Sequence, residues 1–352
     1  MRTTGYAARD ASGPLAPFSF ERRDLRANDI AIEILYCGVC HSDLHQARND
    51  WNEWGPTIYP CVPGHEVVGR VLAIGPGVTR HAVGNMVAVG TMVDSCGHCD
   101  QCARGEEVLC REFPTVTYNG RDRIDGSVTY GGYSRHIVTR EEFVLRLPDG
   151  LDAARAGPLL CAGITVYSPL RQWNVGPGSR VAVAGIGGLG HLAVRFAVAL
   201  GATVTVITRS EAKAGEAREL GAHHVVISTS GDAMAKAASS FDVIIDTIPV
   251  SHDITPYAGL LDIEGALVIV GSLGMMERFS TLPLIMGRRR ITGSPSGGIA
   301  QTQEMLDFCA AKQVLPDCEL IALDAINEAF ERMERGDVRY RFVIDMGASA
   351  AA

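Results

Sequence analysis

Chemistry in this chain starts with its cysteines. The stretch DSCGHCDQCARGEEVLC (94–110) carries Cys96, Cys99, Cys102 and Cys110 in C-x2-C-x2-C-x7-C spacing. Four thiolates so placed can close tetrahedrally around one ion at metal–sulfur distances of about 2.3 Å. Because four protein donors leave no open position, the spacing predicts a structural zinc that pins a lobe with little apolar sequence of its own. An iron–sulfur cluster uses the same donors, whereas a nucleic-acid-binding ribbon fits poorly with Asp94, Asp100, Glu106 and Glu107 close by.

A reactive metal needs fewer protein donors and an exchangeable place. CGVCHSDLH (37–45) and PGHEVVG (63–69) supply Cys, His and Glu, and LLCAGITVYSPL (159–170) adds Cys161 in a run too apolar for a random exposed thiol. A third constellation, VAVAGIGGLGHLAV (181–194), sets Gly185, Gly187 and Gly190 in G-x-G-x-x-G spacing between a strand and a helix. There a backbone can approach a pyrophosphate lying at a helix N-terminus. The next strand ends in TVTVITRSEAK (203–213) without the acid that would bind a ribose 2′-hydroxyl. Thr208, Arg209, Ser210 and Lys213 suit a 2′-phosphate instead, so NADP(H) is the expected nicotinamide. Glu211 reads as a helix-opening acid.

Two kinds of element must position these groups. Up to about residue 150, short apolar runs broken by Gly and Pro, such as DIAIEILYCG, GHEVVGRVLAIG and NMVAVG, read as an irregular, mainly β domain. From about residue 160, strand-like SRVAVAG, TVTVIT, HHVVIS, FDVIIDT and ALVIVG alternate with helical segments, the pattern of a doubly wound parallel sheet. The closing residues pair a helical TQEMLDFCAAK and INEAFERMERGD with a strand-like YRFVID, which could join either sheet.

The totals agree with two domains. A chain of 352 residues with 47% hydrophobic residues can bury two cores. The net charge of −8 is spread without long single-sign runs, and GRRRIT (287–292) is a short basic turn, so nucleic acid is not an expected partner. No run approaches a membrane span, and MRTTGYAARD lacks the apolar core of a secretory signal. Ten cysteines, several two residues apart, fit metal binding in a reducing cytoplasm better than a disulfide framework. Cys37, Cys61, Cys309 and Cys318 read as small apolar residues.

GVCHSDLH, YPCVPGHEVVG, DSCGHCDQC, LLCAGITVYSPL, GIGGLGH, TQEMLDFC and INEAFERM…GDVRYRFVIDM occur in this order across nearly the whole chain. Together they resemble the zinc-dependent medium-chain alcohol dehydrogenases, within them the cinnamyl alcohol dehydrogenase branch and the bacterial NADPH-dependent aldehyde reductases. The resemblance implies an α/β protein: a GroES-like, zinc-binding catalytic domain (1–161 and 300–352) and a Rossmann dinucleotide-binding domain (162–299). It implies a catalytic zinc on Cys40, His65 and Cys161, with Glu66 a fourth, replaceable ligand. Asp43 would orient His65, and Ser42 and His45 would form a proton path. Cofactor contacts would come from His41, Thr165, Gly188, Leu189, Thr247, Val270, Gly271, Ser294 and Arg341, besides the glycines and the 2′-phosphate group. Trp54, Val116 and Pro295 become pocket candidates. Pro295 and Ser296 stand where bulkier apolar residues are usual, and Val116 where plant enzymes carry tryptophan, so a broad range of aromatic and aliphatic aldehydes is expected. The expected assembly is a homodimer joined through the cofactor domains, with an NAD-dependent polyol or secondary-alcohol dehydrogenase as the nearest rival activity and a non-catalytic nucleotide binder as a more distant one.

Overall fold

The computed structural model describes residues 1–53, 55–271 and 274–349. Its chain divides into two compact units, Met1–Cys161 with Gly297–Ala352, and Ala162–Ser296. Among the described residues no helix is long and apolar enough to cross a membrane.

The first unit is built on the strand Asp29–Val39. Alternate residues Ile30, Ile32 and Ile34 are buried on one face, as the two-residue period of a strand requires. They join a core that includes Val67, Val71, Val87, Tyr133, Phe330 and Phe342. The strand pairs antiparallel with Val67–Ile74 along most of its length. On its other edge it pairs first with His136–Arg140 and then with Arg341–Asp345. The closing strand therefore belongs to this seven-stranded sheet. Glu107, between two cysteines of the quartet, accepts a 2.9 Å hydrogen bond from the first amide of the helix Ile299–Lys312, which ties the cysteine lobe to this unit.

The second unit is a six-stranded parallel sheet. Its spatial order is His224–Ile227, Thr203–Thr208, Arg180–Ala184, Phe241–Asp246, Leu261–Ile269, Arg290–Gly293. In chain order this is 3-2-1-4-5-6, and the order reverses between the first and fourth strands, where open α/β sheets bind ligands. Val181, Ala182, Val183 and Ala184 are all fully buried, which explains an unbroken apolar run in place of alternation. One helix, Ala162–Gln172, carries no helical signature in the sequence. Residues Ala162–Leu170 are buried throughout, so no polar stripe marks a period, and Gly163, three β-branched residues and Pro169 all weigh against helix locally. Burial overrides propensity here.

Arg22 fastens the first unit's loop 130–136. Buried, its guanidinium donates to the carbonyls of Tyr130 (2.5 Å), Gly131 (2.9 Å) and His136 (2.9 Å) and to Ser134 Oγ (2.9 Å). Burial, helped by nearby Arg23, holds it down to about 9. Replacing Arg22 by Leu strands these acceptors and is expected to cost about 2 kcal/mol, read as a lower urea midpoint at unchanged m-value.

Candidate active site and metal centres

Register assembles the first metal-type cluster. The strand Asp29–Val39 ends at Cys40, which opens the short helix His41–Ala47. Across the sheet, Cys37 faces Val67 and the Gly38 amide donates to the Glu66 carbonyl at 3.0 Å, so His65 and Glu66 arrive beside the strand's end. Phe342 faces Val39, which brings Arg341 to the same level. Cys161 closes the group after the 3-10 turn Gly157–Leu160. One donor atom from each of Cys40, His65, Glu66 and Cys161 lies within 4.8 Å of the others.

Asp43 stands behind His65. Its Oδ1 is 3.0 Å from His65 Nδ1 and accepts from the Gly64 amide at 3.0 Å. A carboxylate only accepts, so Nδ1 carries a ring proton and Nε2 is the nitrogen that would meet a metal when the ring is neutral. Cys40 and Cys161 share a close contact of 3.9 Å. The bond from Cys161 holds the Cys40 thiol well below the ordinary range, and the same contact pushes Cys161 well above it. Burial alone would lower His65, yet Asp43 and Cys40 hold it well above its usual value. Burial raises Glu66 to about 7, opposed mainly by Arg341. Arg341, where the resemblance implied a pyrophosphate contact, is buried and ion-paired with Glu66 Oε1, while Glu66 Oε2 is buried without a partner.

These donors fit zinc. Tetrahedral ligands about 2.3 Å from an ion sit about 3.8 Å apart, close to the Cys40–Cys161 separation of 3.9 Å. The second cluster fits as well. Cys96 and Cys102 sulfurs are 3.8 Å apart and Cys99 and Cys102 3.5 Å. Backbone amides of Arg111 and Cys102 point at Cys99 Sγ, both at 3.5 Å, and hold that thiol at about 6. The amides of Cys99 and Cys96 likewise approach the sulfurs of Cys96 (3.3 Å) and Cys110 (3.5 Å). Such donors stabilise thiolates and fix their directions.

Ser42 Oγ lies 3.6 Å from Cys40 Sγ. His45, one helical turn on, meets Asp50 through Nδ1 at 2.8 Å and is 42% exposed, open to exchange protons with water. His41 is exposed on the same helix. Val116 is half-buried in the strand Thr115–Val116, while Trp54 lies outside the described residues. The structure also brings in groups the sequence reading missed: Asp50, Tyr133, whose hydroxyl donates to Asp43 Oδ2 at 2.9 Å, and Tyr118, whose ring centre is 5.5 Å from that of His65.

In the second unit, Gly185 ends its strand at φ +90° and Gly190 opens the helix Gly190–Ala199. A side-chain carbon on Gly190 would lie 2.2 Å from the Gly185 carbonyl oxygen, so the turn accepts only glycine there. Gly187 has open space in front of it, room for a ligand to meet the backbone, and Gly188 and Leu189 complete the turn. At the switch point Thr247 Oγ1 donates to the Ala184 carbonyl at 2.7 Å, and Gly271 packs against the Thr247 backbone, with Val270 beside it. Thr208 is buried, Arg209 is exposed, and Lys213 Nζ reaches the Ile186 carbonyl at 3.2 Å. Ser210 donates its amide to Thr208 Oγ1 at 3.3 Å. Thr165 Oγ1 donates to the carbonyl of exposed Pro295 at 3.4 Å, next to half-buried Ser294.

Comparison with known proteins agrees with both halves. Residues 26–149 match the alcohol dehydrogenase GroES-like domain, and residues 188–311 the zinc-binding dehydrogenase domain. The aldehyde reductase YahK of Escherichia coli is 50% identical over 98% of each chain. A cinnamyl alcohol dehydrogenase from Sorghum bicolor superimposes with a TM-score of 0.95 at 44% identity, over 100% of this chain and 99% of that one. One from Helicobacter pylori, solved with NADP(H), superimposes at 0.91 with 37% identity over 99% of each. The chain belongs to the zinc-containing medium-chain alcohol dehydrogenase family, in the group that holds the cinnamyl alcohol dehydrogenases and the YahK aldehyde reductase. It is an enzyme, an alcohol dehydrogenase or aldehyde reductase of that group.

Metal analysis should separate the two clusters. Cys40→Ala is expected to lose one zinc per chain and turnover while the protein stays folded, whereas Cys99→Ser should lose the other zinc and unfold at lower temperature.

Proposed function

We propose that this enzyme uses NADP(H) to interconvert aldehydes and primary alcohols of broad aromatic and aliphatic range, chiefly as an aldehyde reductase. The observation that carries the zinc chemistry is the convergence of Cys40, His65, Glu66 and Cys161 donor atoms with Asp43 bonded behind His65. Zinc bound there supplies a Lewis acid for a carbonyl oxygen, and the reduced nicotinamide supplies hydride. The chain's share is placement. Asp43 fixes the His65 ring, and Arg341 sets a countercharge against buried Glu66. Ser42 and His45, three apart on one helix and so on one face, offer a hydroxyl beside Cys40 and an exposed imidazole that takes a proton from solvent.

The nicotinamide preference is supported by the strand end at Thr208, where no acid stands, and by Arg209, Ser210 and Lys213 after it. It is also supported by the Helicobacter relative solved with NADP(H). The breadth of substrate rests on the modest side chains of Val116 and Pro295. Cysteines grouped as metal donors rather than spaced as a disulfide framework accord with a cytoplasmic setting. A homodimer is supported by exposed Met275, Leu282, Ile285 and Met286, on the segment of chain that leads into the edge strand Arg290–Gly293.

Steady-state rates with benzaldehyde should be far higher with NADPH than with NADH, and Arg209→Ala should raise KM for NADPH about tenfold. Equal use of NADH, or faster oxidation of sorbitol with NAD, would replace this reading. Ile285→Glu is expected to shift the sedimentation coefficient from dimer to monomer.

A further inference from the structure

We propose that Tyr133 is a positioning residue of the metal centre: its phenol holds Asp43, and through Asp43 the His65 ring, in the orientation that retains zinc. The inference rests on reading Cys40, His65 and Cys161 as a zinc site.

Asp43 has no exposure, and its carboxylate is saturated. Oδ1 takes the Gly64 amide and His65 Nδ1, each at 3.0 Å. Oδ2 takes the Cys40 amide at 3.0 Å and the Tyr133 hydroxyl at 2.9 Å. Four donors fill the roughly four lone-pair directions a carboxylate offers. Two come from metal donors themselves, the Cys40 amide and the His65 ring, one is the amide of Gly64 beside His65, and the fourth is Tyr133. A phenol has a proton to give and an ionised carboxylate has none, so the direction of this bond is settled. Without it one oxygen keeps only the Cys40 amide, and the carboxylate can rotate away from His65.

Tyr133 is itself rigidly held. It is fully buried; its amide donates to the Pro63 carbonyl at 3.0 Å, and its carbonyl accepts from the Tyr6 amide at 2.9 Å. The Gly132 amide donates to the Gly64 carbonyl at 2.8 Å, so loop 131–133 runs bonded alongside the segment that leads into His65. Arg22 binds the same loop from the far side through Tyr130, Gly131, Ser134 and His136. The phenol thus reaches the carboxylate from a frame braced independently of the helix that carries Asp43.

The test follows zinc release from the zinc-loaded full chain to an excess of 4-(2-pyridylazo)resorcinol. Wild-type protein should release two zinc ions in two phases, and Cys40→Ala identifies the phase that belongs to the Cys40 centre. Tyr133→Phe keeps the ring and removes the hydroxyl. It should speed that phase about tenfold, in line with the loss seen when groups supporting a metal-bound histidine are removed, and leave the cysteine-quartet phase unchanged. Cobalt substituted into the Cys40 centre should show displaced d–d bands in the variant. If Tyr133→Phe fails to fold, Tyr133→Met, which also fills the space without a donor, is read in its place, with the same direction expected. Release at the wild-type rate or slower with an unshifted cobalt spectrum overturns the inference, and equal acceleration of both phases marks a general loss of structure and overturns it too. A wild-type protein with no zinc at the Cys40 centre would instead sink the proposed function.

Discussion

Asp43 is the point on which the catalytic unit turns. A carboxylate so fully enclosed is costly unless every lone pair is met, and the groups that meet it come from the helix after the central strand, the segment before the next strand, and a loop some seventy residues on. None can withdraw without leaving charge unsolvated. The donors of the reactive centre are therefore brought together by the needs of a group that need not touch the metal.

The sheet supplies the coordinate system for this convergence. Gly38 stands against Glu66, and a side-chain carbon there would lie 2.9 Å from Glu66 Cβ and closer still to Oε2. A glycine in mid-strand is usually a weakness, yet here it clears the space in which a buried acid stands next to two thiols. Arg341 answers that acid from the neighbouring strand. A pair of this kind gains little in stability over apolar residues, so its presence is better explained by what it does to charge beside the metal donors.

Spacing alone exposed the cysteine quartet and the glycine turn, because both are local: their ligand-holding geometry depends on residues a few positions apart. The alternation of strands and helices after residue 160 was legible for the same reason, with the exception of Ala162–Gln172, whose buried stretch Ala162–Leu170 presents no polar face. The reactive cluster could be read only as residue types scattered from Cys40 to Cys161, and the resemblance did the work of grouping them. Tyr133 carries no signal in one sequence, since a tyrosine in YGGYSRH looks like any core aromatic until its hydroxyl is seen against Asp43. The Arg341–Glu66 pair is equally hidden, spanning 275 residues that only a folded sheet connects.

That long connection has a cost in time. While the ribosome adds the residues between Cys161 and Arg341, at roughly 5–20 per second, the segment Tyr36–Val39 lacks the partner strand that later covers it, and Glu66 lacks its countercharge. For something like ten to forty seconds, a nascent chain already containing all four donors carries a bare β edge beside a half-built pocket. Premature metal capture and edge-to-edge sticking are the hazards of that interval, and the last strand to emerge ends both.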